Sequence, residues 1–274
     1  MVKRVTPGVQ LARYAVLCLV LGTMLFPFGW MVRVSLMEPG SLSEIGLFSG
    51  SFTLANFTEL FQQTNMGRYF LNSILVGVAV TLGNLLFCFM VAYTLARYQT
   101  LPNKFLFFTV IVILMIPAHI TIIPLYLLAV KAKMYDSYWA LILPWLVNPI
   151  GIFLVKQYIE SIPQSMEEAA RIDGAGELRI LFGVVMPLCK PALAVLAIQV
   201  FFTNWNSFLF PYILTQSESV RTLPVGLAMF QGHQAIDWQH LMAGSTVAVL
   251  PVLILFVFLQ RRIVSGITAG AIKQ

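Results

Sequence analysis

The sequence predicts an all-α membrane protein: six transmembrane helices, N- and C-termini cytoplasmic, with a short cytoplasmic helix between spans four and five. Three observations carry that prediction. Of the 274 residues, 59% are hydrophobic and 10% charged, against about 25% charged in an ordinary soluble domain. Six windows are long enough for a bilayer core, which takes about 20 apolar residues per helix: Tyr14–Val32, Tyr69–Ala96, Phe105–Val130, Ser137–Val155, Pro187–Leu214 and Leu241–Leu259. Lys and Arg also divide unequally between the joining segments, and positive loops stay cytoplasmic.

The first window follows Lys3, Arg4 and Arg13 but no small-residue cleavage site follows it, and it is longer than the apolar core of a signal peptide. It reads as a retained first span. With the N-terminus inside, the cytoplasmic segments hold Lys3, Arg4, Arg13, Arg97, Lys104, Lys156, Arg171, Arg179, Arg261, Arg262 and Lys273, and the outward ones hold Arg33, Arg68, Lys131, Lys133 and Arg221. This asymmetry, facing an anionic leaflet, accounts for the net charge of +6 without nucleic acid.

Between spans one and two, an outward loop carries Glu38-Pro-Gly40, Ser49-Gly-Ser51 and one short amphipathic run, Leu54–Phe61. The tight turn Arg97–Lys104 makes spans two and three an antiparallel hairpin. A second tight turn, Lys131–Asp136, joins spans three and four outside. The last outward loop, Thr215–His240, is long and mostly polar, as functional loops are. Residues 1–274 read as a single transmembrane domain, with a polar loop at 162–176 and a cytoplasmic tail at 260–274, whose Gly and small residues suit an extended segment.

The polar loop is the most informative stretch. Ser165 and Glu168 have the spacing of a capping box, which predicts a helix from about Met166. Glu167 and Arg171 stand four apart in the favourable order. Gly174 supplies a left-handed stop, so the helix has about two turns and is marginal alone. The small Ala169 and Ala170 permit close approach of another surface, and Ile172 offers an anchor. By periodicity alone, a structured loop with no partner fits equally well.

No Gly-x-x-x-x-Gly-Lys-Ser/Thr phosphate loop is present, so the chain does not bind and hydrolyse ATP in the usual way. Cys18, Cys88 and Cys189 are too scattered for a disulfide framework or metal site and read as packing residues. In span five, Asn204, Trp205, Asn206 and Ser207 are polar groups at membrane depth. Trp205, Phe208 and Tyr212 recur at i, i+3 and i+7 as an aromatic stripe suited to stacking on sugar rings; packing between helices is the alternative. His119 lies between Pro117 and Pro124, where the helix must bend. With no carboxylate in any span, a proton relay has no acceptor, and packing or a hydrogen bond across the kink is the better reading. Asn148-Pro149 reads the same way. His233 and His240, seven apart in a loop with Asp237, do not make a metal site.

Glu168-Ala-Ala-x-x-Asp-Gly-Ala175, followed by Pro187 and Pro191, resembles the signature loop of the membrane subunits of binding-protein-dependent ABC importers. Asn72-Ser73, Ile116-Pro117, Ile123-Pro-Leu-Tyr126, Gly151-Ile-Phe-Leu154, Thr203-Asn-Trp-Asn206, Thr222-Leu-Pro-Val-Gly-Leu227 and the tail Gly266–Lys273 extend the likeness over nearly the whole chain. They resemble sugar permeases of the maltose type, in particular the second, shorter permease of the heterodimer. One departure is Met186, where the family usually has Leu, a volume-conserving change.

The resemblance implies that the loop is a coupling helix seated in a cleft of an ATPase subunit, involving Glu167, Glu168, Ala169, Ala170, Arg171, Asp173, Gly174 and Ala175. Glu168 would pair with a cationic or amide group of the ATPase, Ala169 and Ala170 would allow close seating, Asp173 would brace the turn and Gly174 would permit it. Self-capping of the loop is the alternative for Glu168 and Asp173. Asn204, Trp205, Phe208 and Tyr212 become candidates for the translocation path. Gln231, His233 and Gln234 become candidates for contact with an extracytoplasmic binding protein. The implied partners are a second permease, two ATPase subunits that hold ATP and Mg, the binding protein, a sugar and the lipid bilayer of a bacterial or archaeal-type inner membrane. The chain itself would carry no catalysis, cofactor or metal. An ion-gradient-driven secondary transporter is the rival, but it normally needs membrane carboxylates or inverted repeats, which are not evident here.

Overall fold

The structure is a computed structural model; it describes the backbone of residues 7–38, 51–230 and 236–271, and side chains of 8–38, 51–230 and 236–257. The described residues are mostly helical, with turns, short irregular stretches and isolated bridge residues, among them an antiparallel pair of Met37 and Phe52. In chain order the α-helices are α1 (Pro7–Ser35), α2 (Ala55–Gln63), α3 (Met66–Arg97), α4 (Leu101–Leu114), α5 (Ile122–Lys131), α6 (Tyr138–Ile142), α7 (Pro149–Glu160), α8 (Ser165–Ile172), α9 (Glu177–Arg179), α10 (Met186–Leu188), α11 (Lys190–Trp205), α12 (Leu209–Leu214), α13 (Leu223–Ala228) and α14 (Trp238–Ala271).

Four helical stretches among the described residues are long and apolar enough to cross a membrane, within α1, α3, the run Tyr138–Glu160 and α14. Two bent pairs raise that number to six if each is one span. In the first pair, α4 and the segment Ala118–Lys131 meet at 96°. The break falls at Pro117, which is extended, whereas Pro124 sits in the first turn of α5, where its missing N–H needs no acceptor. The second pair runs from Glu177 through a π-helical stretch, Ile180–Val185, and bends 77° into α11. The sequence window Pro187–Leu214 is therefore not one straight helix. A helical turn already begins at Glu177, and α11 stops at Trp205 before α12 restarts.

The chain divides into two compact units. One comprises the residues up to Gly67 with Leu227–Leu250. In it, α1 is apolar all round and leaves its membrane-length window unburied, as a helix meeting lipid or another subunit would. Buried Asn56 donates to the carbonyls of Ser35 (2.9 Å) and Met37 (2.7 Å), fastening α2 to the end of α1.

The other unit comprises Arg68–Gly226 and the chain from Pro251. Its core gathers Phe89, Val155, Ile159, Ile180, Val185 and Leu196 from α3, α7, the π-helical stretch and α11. Thr100 caps α4 by accepting the Asn103 amide, closing the α3–α4 hairpin. Asn148 caps α7, accepting the Gly151 amide at 2.6 Å, and also donates to Asn84 Oδ1 of α3. The polar groups of Asn148-Pro149 are thus satisfied, as burial requires. At the other end of α3, Asn72 donates to the carbonyls of Ser219 (3.0 Å) and Arg221 (2.8 Å), and Ser73 accepts the Leu223 amide at 2.8 Å. Gly226 lets Tyr69 lie against its backbone, since a Cβ there would stand 2.2 Å from the ring. These contacts give a packing role to Asn72-Ser73 and to the Thr222–Gly226 motif.

The tail differs from the extended form expected of it: α14 continues as helix to Ala271.

Candidate functional site

The polar loop folds as the two-turn helix α8, and its C-terminal stop is the one the sequence specifies. Gly174 has φ +81°, the left-handed conformation that glycine adopts without penalty. The Ala175 amide donates to the Ala170 carbonyl at 2.9 Å and the Gly174 amide to the Arg171 carbonyl at 3.0 Å. Together these bonds make a Schellman motif, which satisfies two carbonyls left open at the helix end. Asp173 is the C-cap residue; its backbone amide, bonded to Ala169 O, does the bracing, and its side chain is exposed.

The N-terminal capping box is not formed. The helix begins one residue early because Pro163 opens a turn: its carbonyl accepts the Met166 amide at 3.4 Å, and Gln164 O accepts the Glu167 amide at 2.9 Å. Ser165 is thereby inside the helix, and no side chain caps it. Self-capping of the loop by Glu168 is absent for the same reason.

The Glu167–Arg171 pair is also not formed, because the two side chains reach different partners. Glu167 is 2% exposed and turned toward α3. Its Oε1 accepts from Arg97 Nε at 2.6 Å and its Oε2 accepts from the Tyr93 hydroxyl at 2.9 Å. Arg97 also donates to the Ile162 carbonyl at 3.0 Å, so one guanidinium holds α8 and the residue that leads into it. A buried carboxylate with both oxygens engaged by a cation and a hydroxyl meets the condition for leaving water. Arg171 instead forms a two-pronged pair with Glu177 at 2.8 and 3.1 Å, and these bonds raise its pKa above the usual value.

The opposite face of α8 is open. Glu168 and Ala169 are exposed, Ile172 is 87% exposed, and Glu168 has no ion-pair partner among the described residues. Ala170 and Ala175 pack on the core below. Beside the helix opens a recess of about 340 Å³ walled by Arg97, Tyr98, Gln164, Glu167, Glu168, Arg171 and Glu177. It is a polar seat with a protruding apolar anchor, a combination suited to a protein partner.

Arg97 and Tyr93 were not singled out by sequence reasoning, which took Arg97 only as an orienting charge. Their four-residue spacing, which puts both on one helix face, was the available signal.

The other predicted residues are dispersed. The aromatic stripe is broken because α11 ends at Trp205. Trp205 is buried, stacked on Phe201 and edge-on to Phe70, each at 5.7 Å, which is packing between helices. Phe208 and Tyr212 are exposed and stack on each other at 5.3 Å, while Asn204 is half-buried. His119 is exposed beside the Pro117 break and stacks on Phe210 at 6.0 Å. Gln231, His233 and Gln234 lie outside the described residues. Nearby His240 stands between Asp237 (2.6 Å) and Glu59 (3.4 Å), and no cluster fit to hold a metal ion occurs among the described residues.

A family model described as binding-protein-dependent transport system inner membrane component matches residues 85–269, a span that includes all of α8. The chain is similar to the arabinooligosaccharides transport system permease protein AraQ of Halalkalibacterium halodurans, 38% identical over 224 residues, which cover 81% of this chain and 80% of that protein. The protein of the same name from Bacillus subtilis is 34% identical over 264 residues, 95% of this chain and 90% of the relative. In fold it is similar to a chain in the crystal structure of a bacterial ABC transporter involved in the import of the acidic polysaccharide alginate, with a TM-score of 0.84 and 21% identity over 94% of this chain and 98% of that one. The loop signature, the apolar helices and these matches agree: the chain belongs to the family of inner membrane components of binding-protein-dependent transport systems.

Proposed function

We propose that this chain is one permease half of an ATP-driven importer for a sugar, an oligosaccharide or a related solute. It pairs with a second permease and two ATPase subunits, which bind ATP and Mg. An extracytoplasmic binding protein delivers the solute. The chain crosses a bacterial or archaeal-type inner membrane six times, the bent pairs each counting as one span, with both termini and α8 in the cytoplasm.

The observation that carries the reading is the two-faced character of α8. Its inner face is fixed to the protein by Glu167, and its outer face presents Glu168, Ala169 and Ile172 to water. Closure of the ATPase dimer around that face would rock the permease halves between inward-open and outward-open arrangements, a rigid-body form of alternating access. The solute class follows from the relatives named for arabinooligosaccharides. Exposed Phe208 and Tyr212 supply ring faces suited to sugars, with Asn204 as a hydrogen-bonding group. Trp205, stacked on Phe201 and edge-on to Phe70, belongs to the packing between helices. The segment containing Gln231, His233 and Gln234 is the candidate contact for the binding protein.

The test is transport by the purified complex in liposomes given ATP and no ion gradient, with and without Glu168→Arg. Uptake that needs ATP and is abolished by the substitution supports the assignment. Uptake driven by an ion gradient alone restores the secondary-transporter reading, and full activity of Glu168→Arg removes the role given to α8.

A further inference from the structure

The two adjacent glutamates of α8 point different ways, as residues about 100° apart around a helix must. Glu168 faces water, whereas Glu167 reaches inward to the last turn of α3. That inward contact is specific. Arg97 donates to Glu167 Oε1 at 2.6 Å and to Ile162 O at 3.0 Å, and Tyr93 donates to Glu167 Oε2 at 2.9 Å. The side chains of Arg97 and Glu167 are only 7% and 3% exposed, so water competes little for the contact.

α3 is the element that could carry a displacement away from this point. It is a single helix of 32 residues, about 48 Å long at 1.5 Å per residue. Near its opposite end, Asn72 holds the carbonyls of Ser219 and Arg221, and Tyr69 packs on Gly226. The 216–226 segment is thus fastened to the same rod that Arg97 ties to α8. Asp136 further secures it by accepting from the amides of Gln216 and Ser217.

We propose that Arg97, clamped on Glu167 and braced by Tyr93, is the positioning residue that passes movement of α8 into α3 and so to the 216–226 segment at its far end. The inference rests on the reading that α8 docks an ATPase subunit. It assigns the two adjacent glutamates of α8 separate duties, Glu168 to the partner and Glu167 to the strut.

The test needs no transported solute. In the full complex in nanodiscs, with Cys18→Ser to remove the exposed native thiol, Gln216→Cys is labelled with a fluorescent maleimide, nucleotide-free and after ATP–vanadate trapping. With Glu167 intact, trapping changes the labelling rate about fivefold or more, the scale of ordinary coupling between sites. Glu167→Gln retains bound ATPase subunits but flattens that response to less than about twofold. A response as large as with Glu167 overturns the strut, and so does the absence of any response in the parent complex. Should Glu167→Gln not assemble, Tyr93→Phe, which spares the ion pair and removes one hydrogen bond, is expected to lower the response partially; an unchanged response overturns the proposal. Glu168→Arg separates the two levels. If it leaves the ATPase bound and the response intact, the docking reading itself fails; if it releases the ATPase while Glu167→Gln responds normally, only the strut fails.

Discussion

The amide of Ala175 donates to the carbonyl of Ala170 across Gly174, and this 2.9 Å bond turns the chain back after two helical turns. The left-handed φ of Gly174 makes that bond possible, and a Cβ there would meet nothing within 4 Å. Gly174→Ala is therefore expected to cost about 1–2 kcal/mol from backbone conformation alone. Hydrogen exchange of the Ala175 amide should rise about tenfold. Gly174→Asn, which tolerates the conformation better, should show a smaller rise.

Arg97→Ala leaves Glu167 buried without its cation, a loss worth about 3–5 kcal/mol when both groups are out of water. The expected outcome is local release of α8, read as proteolytic cleavage near residues 162–176 at protease levels that spare the parent. Glu167→Gln keeps an acceptor for Arg97 but loses the ion pair, and its cleavage should fall between that of the parent and that of Arg97→Ala.

Asp136 predicts a defined pH dependence. Partial burial pushes its carboxyl up, but bonds from the Gln216 and Ser217 amides and the Ser217 hydroxyl outweigh that, and the net pKa lies below the ordinary carboxylate value. A depressed folded pKa gives stability that is fully present above the unfolded pKa, about 3.9, and is lost as pH falls through the folded value. Asp136 has a left-handed φ of 58°, which Asn tolerates, so the melting-temperature difference between parent and Asp136→Asn should be constant above about pH 5 and shrink only in stronger acid. A difference that is already gone at neutral pH would contradict the assignment.

Long apolar windows made the membrane-length helices legible, because a bilayer leaves few other solutions for an apolar run of that length. Gly174 was legible because few residues other than glycine stop a helix in the left-handed form. The start of α8 was misread because two local signals competed, and Pro163 opened the turn before the Ser165 hydroxyl could cap it. The partner of Glu167 was hidden because Arg97 is 70 positions away, and sequence spacing carries only neighbours on one helix. Likewise the stripe from Trp205 to Tyr212 assumed a continuous helix, and α11 ends at Trp205.

In the proposed assembly the outer face of α8 docks an ATPase subunit while Glu167 does not touch it. A photo-crosslinking amino acid placed in turn at Ala169, Ile172 and Glu167 of the assembled complex tests it directly. Strong capture of the ATPase subunit is expected from Ile172 and Ala169, and little from Glu167. Equal capture from all three, or none from Ile172, would contradict it.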